Sequence, residues 1–149
     1  MKHYFILLFI FLNQTTFSQL PLGKDLKKGK LEILRIMKAN NFHYMKQSTG
    51  KNYSILLFKE EITISINSNM FENIESLNFS TGNKKIINKV EEIIEFDNWE
   101  FAYYETSRFN NELLTVYKIN NYFARYYYNP SKDPESKPLR YQYILFNEK

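Results

Sequence analysis

Residues 62–67 read Ile-Thr-Ile-Ser-Ile-Asn, a strict alternation of branched apolar and small polar side chains. Successive side chains of a strand point to opposite faces, so Ile62, Ile64 and Ile66 enter a core while Thr63, Ser65 and Asn67 meet water. Such a strand belongs to an antiparallel sheet with one covered face, not to a parallel sheet buried on both. Residues 42–46, 53–59 and 73–81 are expected as strands around it. Gly50-Lys51-Asn52 and Glu60-Glu61 supply the turns, and Leu77 and Phe79 share one face of the last strand.

Two helical patterns are available to cover the apolar face. In the first, Leu26, Lys30, Ile33, Leu34 and Met37 recur at helical spacing behind Asp25, which caps the helix or sits in its first turn. Gly29 weakens those turns and moves the expected start to Lys28 or Gly29, and Asn40-Asn41 ends the helix. The second is expected over 84–97 behind Asn83, with Ile86, Ile87, Val90, Ile93, Ile94 and Asp97 as its stripe. Lys84, Lys85, Lys89, Glu91, Glu92 and Glu95 lie on the other side. Basic residues come early and acidic ones late, which opposes the helix dipole, so packing must hold this helix.

A second set of strands is expected at 99–106, 112–119, 122–129 and 140–146. Asn120-Asn121 forms a two-residue hairpin, and 131–138 is a polar loop marked by Pro130, Pro134 and Pro138. The stretch 99–128 is crowded with rings, from Trp99, Phe101, Tyr103 and Tyr104 through Phe109 and Tyr117 to Tyr126, Tyr127 and Tyr128. Lys, Asn, Ile, Phe and Tyr are abundant while Ala and Gly are scarce, a composition that AT-rich coding also produces.

The expected class is therefore α+β, with two amphipathic helices packed on antiparallel sheet in one domain spanning 19–149. Both halves run helix then four strands, at about 22–81 and 83–147, which reads as two α-β-β-β-β units sharing a sheet. Ile55-Leu56-Leu57-Phe58-Lys59 matches Leu114-Thr115-Val116-Tyr117-Lys118 in pattern. This order resembles the tandem α/β repeats of beta-lactamase-inhibitor-protein-like and SmpA-like outer-membrane lipoprotein domains. It is also similar to small uncharacterised exported bacterial proteins. The resemblance implies a concave sheet that grips a protein partner. The chain departs from those families in having no cysteine, hence neither the lipoprotein Cys nor the disulfides.

The N-terminus carries its own signal. Met1, Lys2 and His3 precede nine apolar residues from Tyr4 to Leu12, and a polar segment ending in small residues follows. That is the pattern of a secretory signal peptide over 1–18, cleaved between Ser18 and Gln19. The apolar run is well short of the roughly 20 residues a spanning helix needs. Export to the periplasm or the exterior is the expectation, with no transmembrane segment in the mature chain. The formal charge of +4 falls to +3 once Lys2 leaves, and interspersed charges of both signs assign that excess to solubility.

Motifs for catalysis are missing. No G-x-S-x-G, Gly-rich phosphate loop or H-E-x-x-H is present, and no cofactor or metal is implied. His43 is the only histidine after residue 18 and has no carboxylate near it in sequence; it reads as a hydrogen-bonded strand residue. Glu60-Glu61 and Glu91-Glu92 read as solvated charge. Strand parity sets Glu105 with Trp99, Phe101 and Tyr103 on one face, and Glu100 with Ala102 and Tyr104 on the other.

The expected site comes from the same parity. Tyr122, Ala124, Tyr126 and Tyr128 share one face of their strand, and the small Ala124 marks that face as covered by a helix. Phe123, Arg125 and Tyr127 then look outward as an exposed patch, with Arg108 and Arg140 nearby. Arg beside aromatic rings is the composition of interaction hot spots and sugar-stacking surfaces. The expected function is a non-enzymatic binding module of the cell envelope whose partner is a protein or an envelope polymer, not nucleic acid. The alternative is a small hydrolase acting on envelope polymers.

Overall fold

The computed structural model describes residues 20–107, 113–129 and 140–147. The segment expected to be a signal peptide and its expected cleavage site, Arg108 and the proline-marked loop lie outside the described residues. The elements run α1 (Leu26–Ala39), β1 (Tyr44–Thr49), β2 (Tyr53–Phe58), β3 (Ile62–Ser68), β4 (Ile74–Thr81), α2 (Lys84–Ile93), a 3₁₀ turn (Phe96–Asn98), β5 (Glu100–Thr106), β6 (Leu113–Ile119), β7 (Tyr122–Asn129) and β8 (Arg140–Asn147). The architecture is α+β, as expected. All eight strands form one antiparallel sheet in the order β1-β2-β3-β4-β8-β7-β6-β5. Each meander is thus continuous, and the two join through their last strands. No helix among the described residues is long and apolar enough to cross a membrane.

Both helices pack on the same face. Ile33 and Met37 of α1, and Ile86, Ile87, Val90 and Ile93 of α2, are buried in one core with Leu56, Ile64, Ile66, Leu77, Phe79, Ala124, Tyr143 and Leu145 of the sheet. The β3 alternation is the axis of this core: Ile62, Ile64 and Ile66 are each almost fully buried. At about 25 cal/mol per Å² of apolar surface, each such side chain contributes roughly 1.5–3 kcal/mol.

Two helix boundaries differ from expectation. α1 begins at Leu26, because the Asp25 carboxylate accepts a hydrogen bond from the Lys28 N–H at 3.0 Å and caps the first turn. Gly29 does not delay the helix but lets it sit down: a Cβ there would collide with the Ile74 Cδ1 atom and press on Pro21. α2 stops at Ile93, short of Asp97. Glu95 takes a positive φ of 50°, and the chain turns through the 3₁₀ segment. Continuing the helix would have driven the Asp97 carboxylate into the apolar stripe. Instead Asp97 is exposed and Phe96 enters, its ring 4.8 Å from Tyr117 and 5.0 Å from Tyr143. Trp99, expected in a strand, precedes β5 and is buried; its indole N–H donates to the Ile94 carbonyl at 2.8 Å and satisfies an orphan acceptor of the helix end.

Several turns place a non-glycine residue at positive φ, a conformation that Asn adopts more readily than Glu. Asn41 after α1, Glu61 between β2 and β3, and Asn120 between β6 and β7 all adopt it. In the Asn120-Asn121 hairpin the positive φ falls on Asn120.

Candidate functional site

The face turned away from the helices carries no covering layer among the described residues. Its character changes across the β4–β8 seam. On one side, β3 presents Thr63, Ser65 and Asn67, and β4 presents Ser76, Asn78 and Ser80, with the Asn67 amide donating to Ser76 Oγ at 3.2 Å. On the other, β8 presents Ile144 and Phe146, β7 Phe123, Arg125 and Tyr127, β6 Leu114 and Val116, and β5 Tyr103 and Glu105. A polar strip on β3 and β4, with the half-buried Ile55 and Leu57 of β2 beyond it, thus abuts an aromatic half.

The aromatic half is held rigidly. Phe123 stacks on Phe146 with centroids 5.6 Å apart and planes at 23°, and Tyr103 flanks it at 6.4 Å. The Arg125 guanidinium lies 4.1 Å from the Phe146 ring centre. Its Nε donates to one Glu105 carboxylate oxygen at 2.6 Å and its terminal nitrogen to the other at 3.2 Å, a bidentate pair between β7 and β5. Val116 of the intervening β6 is the ladder partner of Tyr103 on one side and Arg125 on the other. It is fully buried although it faces away from the helices. The charge of Arg125 is answered within the chain.

Parity placed Phe123, Arg125 and Tyr127 on the uncovered face, where they are found, with Ala124 fully buried on the helix side. Their expected exposure needs correction. Phe123 is only 8% exposed, enclosed by its ring neighbours, and Arg125 and Tyr127 are half-buried. Arg140 is exposed and shares the face, but it pairs with Asn129 at the far end of β8, two pleats beyond the Arg125–Ile144 pair. Arg108 lies outside the described residues. Sequence reading missed Glu105 as the partner of Arg125, 20 residues away, because only the β5-β6-β7 order brings them together.

The carboxylates are rearranged by a bulge. A register shift between Phe101 and Tyr103 reverses parity within β5, so Glu100, opposite Lys118, and Glu105, opposite Leu114, share the open face. The expectation of opposite faces is wrong for that reason. Four residues of β6 still separate their partners, about 13 Å, beyond the spacing of carboxylate pairs that hydrolyse glycosides. Glu91 is not a solvated charge either: it is half-buried and accepts a hydrogen bond from the Tyr143 hydroxyl at 2.6 Å. Burial, then Glu91, pushes the Tyr143 hydroxyl far above its ordinary range, and burial with Glu91 raises Tyr126 to about 12.

His43 does meet a carboxylate, across the β1–β2 end. Its Nδ1 lies 2.6 Å from one Glu60 oxygen, and its backbone N–H donates to the other at 2.9 Å. Burial alone would raise the Glu60 pKa, but these hydrogen bonds hold it below its usual value. The His43 side chain is 68% exposed, so the pair stands on the surface rather than in a cleft. Among the described residues, no three His, Asp or Glu side chains cluster as metal ligands. Comparison with protein-family models, curated proteins and solved structures gives no match for this chain.

Proposed function

We propose that this chain is an exported, non-enzymatic binding module of the cell envelope that engages its partner through the open sheet face. The observation that carries the reading is the asymmetry of the sheet: both helices occupy one face, while the other presents half-buried apolar side chains beside a polar strip. A sheet normally covers its apolar face with another layer. Here Ile144, Phe146, Tyr127, Ile55 and Leu57 remain half-accessible on the side without one. Because Arg125 is already paired, the surface selects by shape and apolar contact more than by charge. That chemistry suits a protein partner, or an envelope polymer with an apolar ring face. Export rests on the three-part pattern of residues 1–18. The resemblance to tandem α/β repeat proteins adds the same expectation of a gripping sheet.

The test places a photo-crosslinking residue at Ser65 or Gln142 on the open face, and at Asn88 on the outer side of α2, in the protein expressed in cells. Adducts from Ser65 and Gln142, competed away by unmodified protein and missing at Asn88, are the expected result. Adducts confined to Asn88, or equal at all three positions, would overturn the reading.

A further inference from the structure

We infer that a second surface, formed by the outer side of α1 and the loop between β3 and β4, docks on an anionic lipid bilayer. Apart from the terminal Ala39, the exposed residues of α1 are Lys27, Lys28, Leu31, Arg35 and Lys38. At about 100° per residue they share one arc of about 100° on the helix. Every charge on that arc is positive. Of the acidic groups beside it, Asp25 binds the helix N-terminus and Glu32 pairs with Lys24 at 2.8 Å, while Glu72, next to Phe71 in the loop described below, is exposed. By contrast the outer side of α2 mixes Lys84, Lys85 and Lys89 with Glu92.

At the N-terminal end of α1 projects a loop that carries Met70 and Phe71, 78% and 75% exposed. Two adjacent large apolar side chains at a tip stay in unfavourable contact with water unless something receives them. The tip is built to hold them out. Asn69 Oδ1 accepts from the Phe71 and Asn73 N–H groups at 2.9 and 3.0 Å, and the Leu26 N–H donates to the Glu72 carbonyl at 2.7 Å, tying the loop to the helix start. A basic stripe with an apolar prow supplies the two signals of peripheral membrane binding: attraction to anionic headgroups and side chains that enter the interface. Leu31, 57% exposed at the centre of the stripe, adds to the second. A phosphate polymer would use the lysines but has no place for Met70 and Phe71.

The chain has no cysteine, so Met70→Cys offers a single thiol for an environment-sensitive dye, with Thr106→Cys as the control at the other end of the sheet. Because residues 1–18 remain in the chain under test, the reading is the difference between the two labels. With vesicles of equal parts phosphatidylcholine and phosphatidylglycerol, the dye at position 70 should shift to the blue while that at 106 does not move. Pure phosphatidylcholine should give far less. Lys27→Gln, Arg35→Gln and Lys38→Gln together should weaken the position-70 response by about 100-fold, at roughly tenfold or less per charge. No shift at 70 with the mixed vesicles, an equal shift at 106, an equal shift on pure phosphatidylcholine or with heparin in solution, or indifference to the triple substitution would each overturn the inference.

Discussion

Gly29 shows how a single missing methyl group decides where a helix rests. Alanine in a helix interior is favoured over glycine by about 1 kcal/mol, so Gly29→Ala would stabilise an isolated α1. In place, the added Cβ meets Ile74 and Pro21, and overpacking of that kind costs about 1–3 kcal/mol. The balance predicts a net loss of about 1 kcal/mol, read as a lower urea midpoint with unchanged slope; a higher midpoint would show that the contact yields. Tyr143 carries a second prediction. Its hydroxyl is the donor that meets half-buried Glu91, so Tyr143→Phe should cost about 1.5–3 kcal/mol in thermal or urea unfolding. The pH dependence follows from the raised values of Tyr143 and Tyr126. Below about 10 both are protonated whether the chain is folded or not, and their stabilising contribution is complete. Above 10 the unfolded chain releases protons that the folded one keeps, so stability falls as pH rises toward and past the value of about 12 at Tyr126. Absorbance titration of tyrosinate should show Tyr143 and Tyr126, and Tyr141 whose pKa is also raised, resisting ionisation until the fold is lost; full titration of every ring near 10 with the fold intact would contradict it.

At the scale of the elements, α2 depends on its stripe rather than its charges. Val90 is fully buried at the middle of it, so Val90→Asp places an unpaired carboxylate in the core and should abolish cooperative unfolding. A variant that melts like the parent would refute the packing of α2 described above. Most strands and the two helices were legible because their periodicities are clean: alternation in 62–67 and recurrence of Ile86, Ile87, Val90 and Ile93 each admit one face to the core, whereas β1, expected at 42–46, runs Tyr44–Thr49 because its residues are all exposed and carry no such pattern. β7 emerged with the boundaries that parity and the Asn120-Asn121 turn require. What sequence could not show is anything set by one extra residue or by strand order. The bulge after Phe101 moved Glu105 to the face of Arg125, and no local pattern announces it. The same shift occurs in β1 between Tyr44 and Lys46, opposite Phe58 and Leu57, as in β5 opposite Tyr117 and Val116. Those positions are equivalent in the matched segments 55–59 and 114–118.

For the whole molecule, the central feature is that two meanders meet last strand to last strand, with both helices on one side. β4 and β8 are then interior strands, and Leu77 and Phe79 lie directly opposite Leu145 and Tyr143. The core is shared across the seam, while the opposite face, with its stacked Phe123 and Phe146 and its Arg125–Glu105 clasp, carries no helix among the described residues. The most direct measurement is thiol reactivity in single-cysteine variants, since the native chain has none. Ser65→Cys and Gln142→Cys, half-buried on the open face, should react directly with a thiol reagent, without the fold opening. Ala124→Cys, one residue out of phase and under the helices, should react only as fast as the protein opens. Rapid reaction at Ala124 with protection at Ser65 and Gln142 would mean that the helices cover the other face, and would contradict the account.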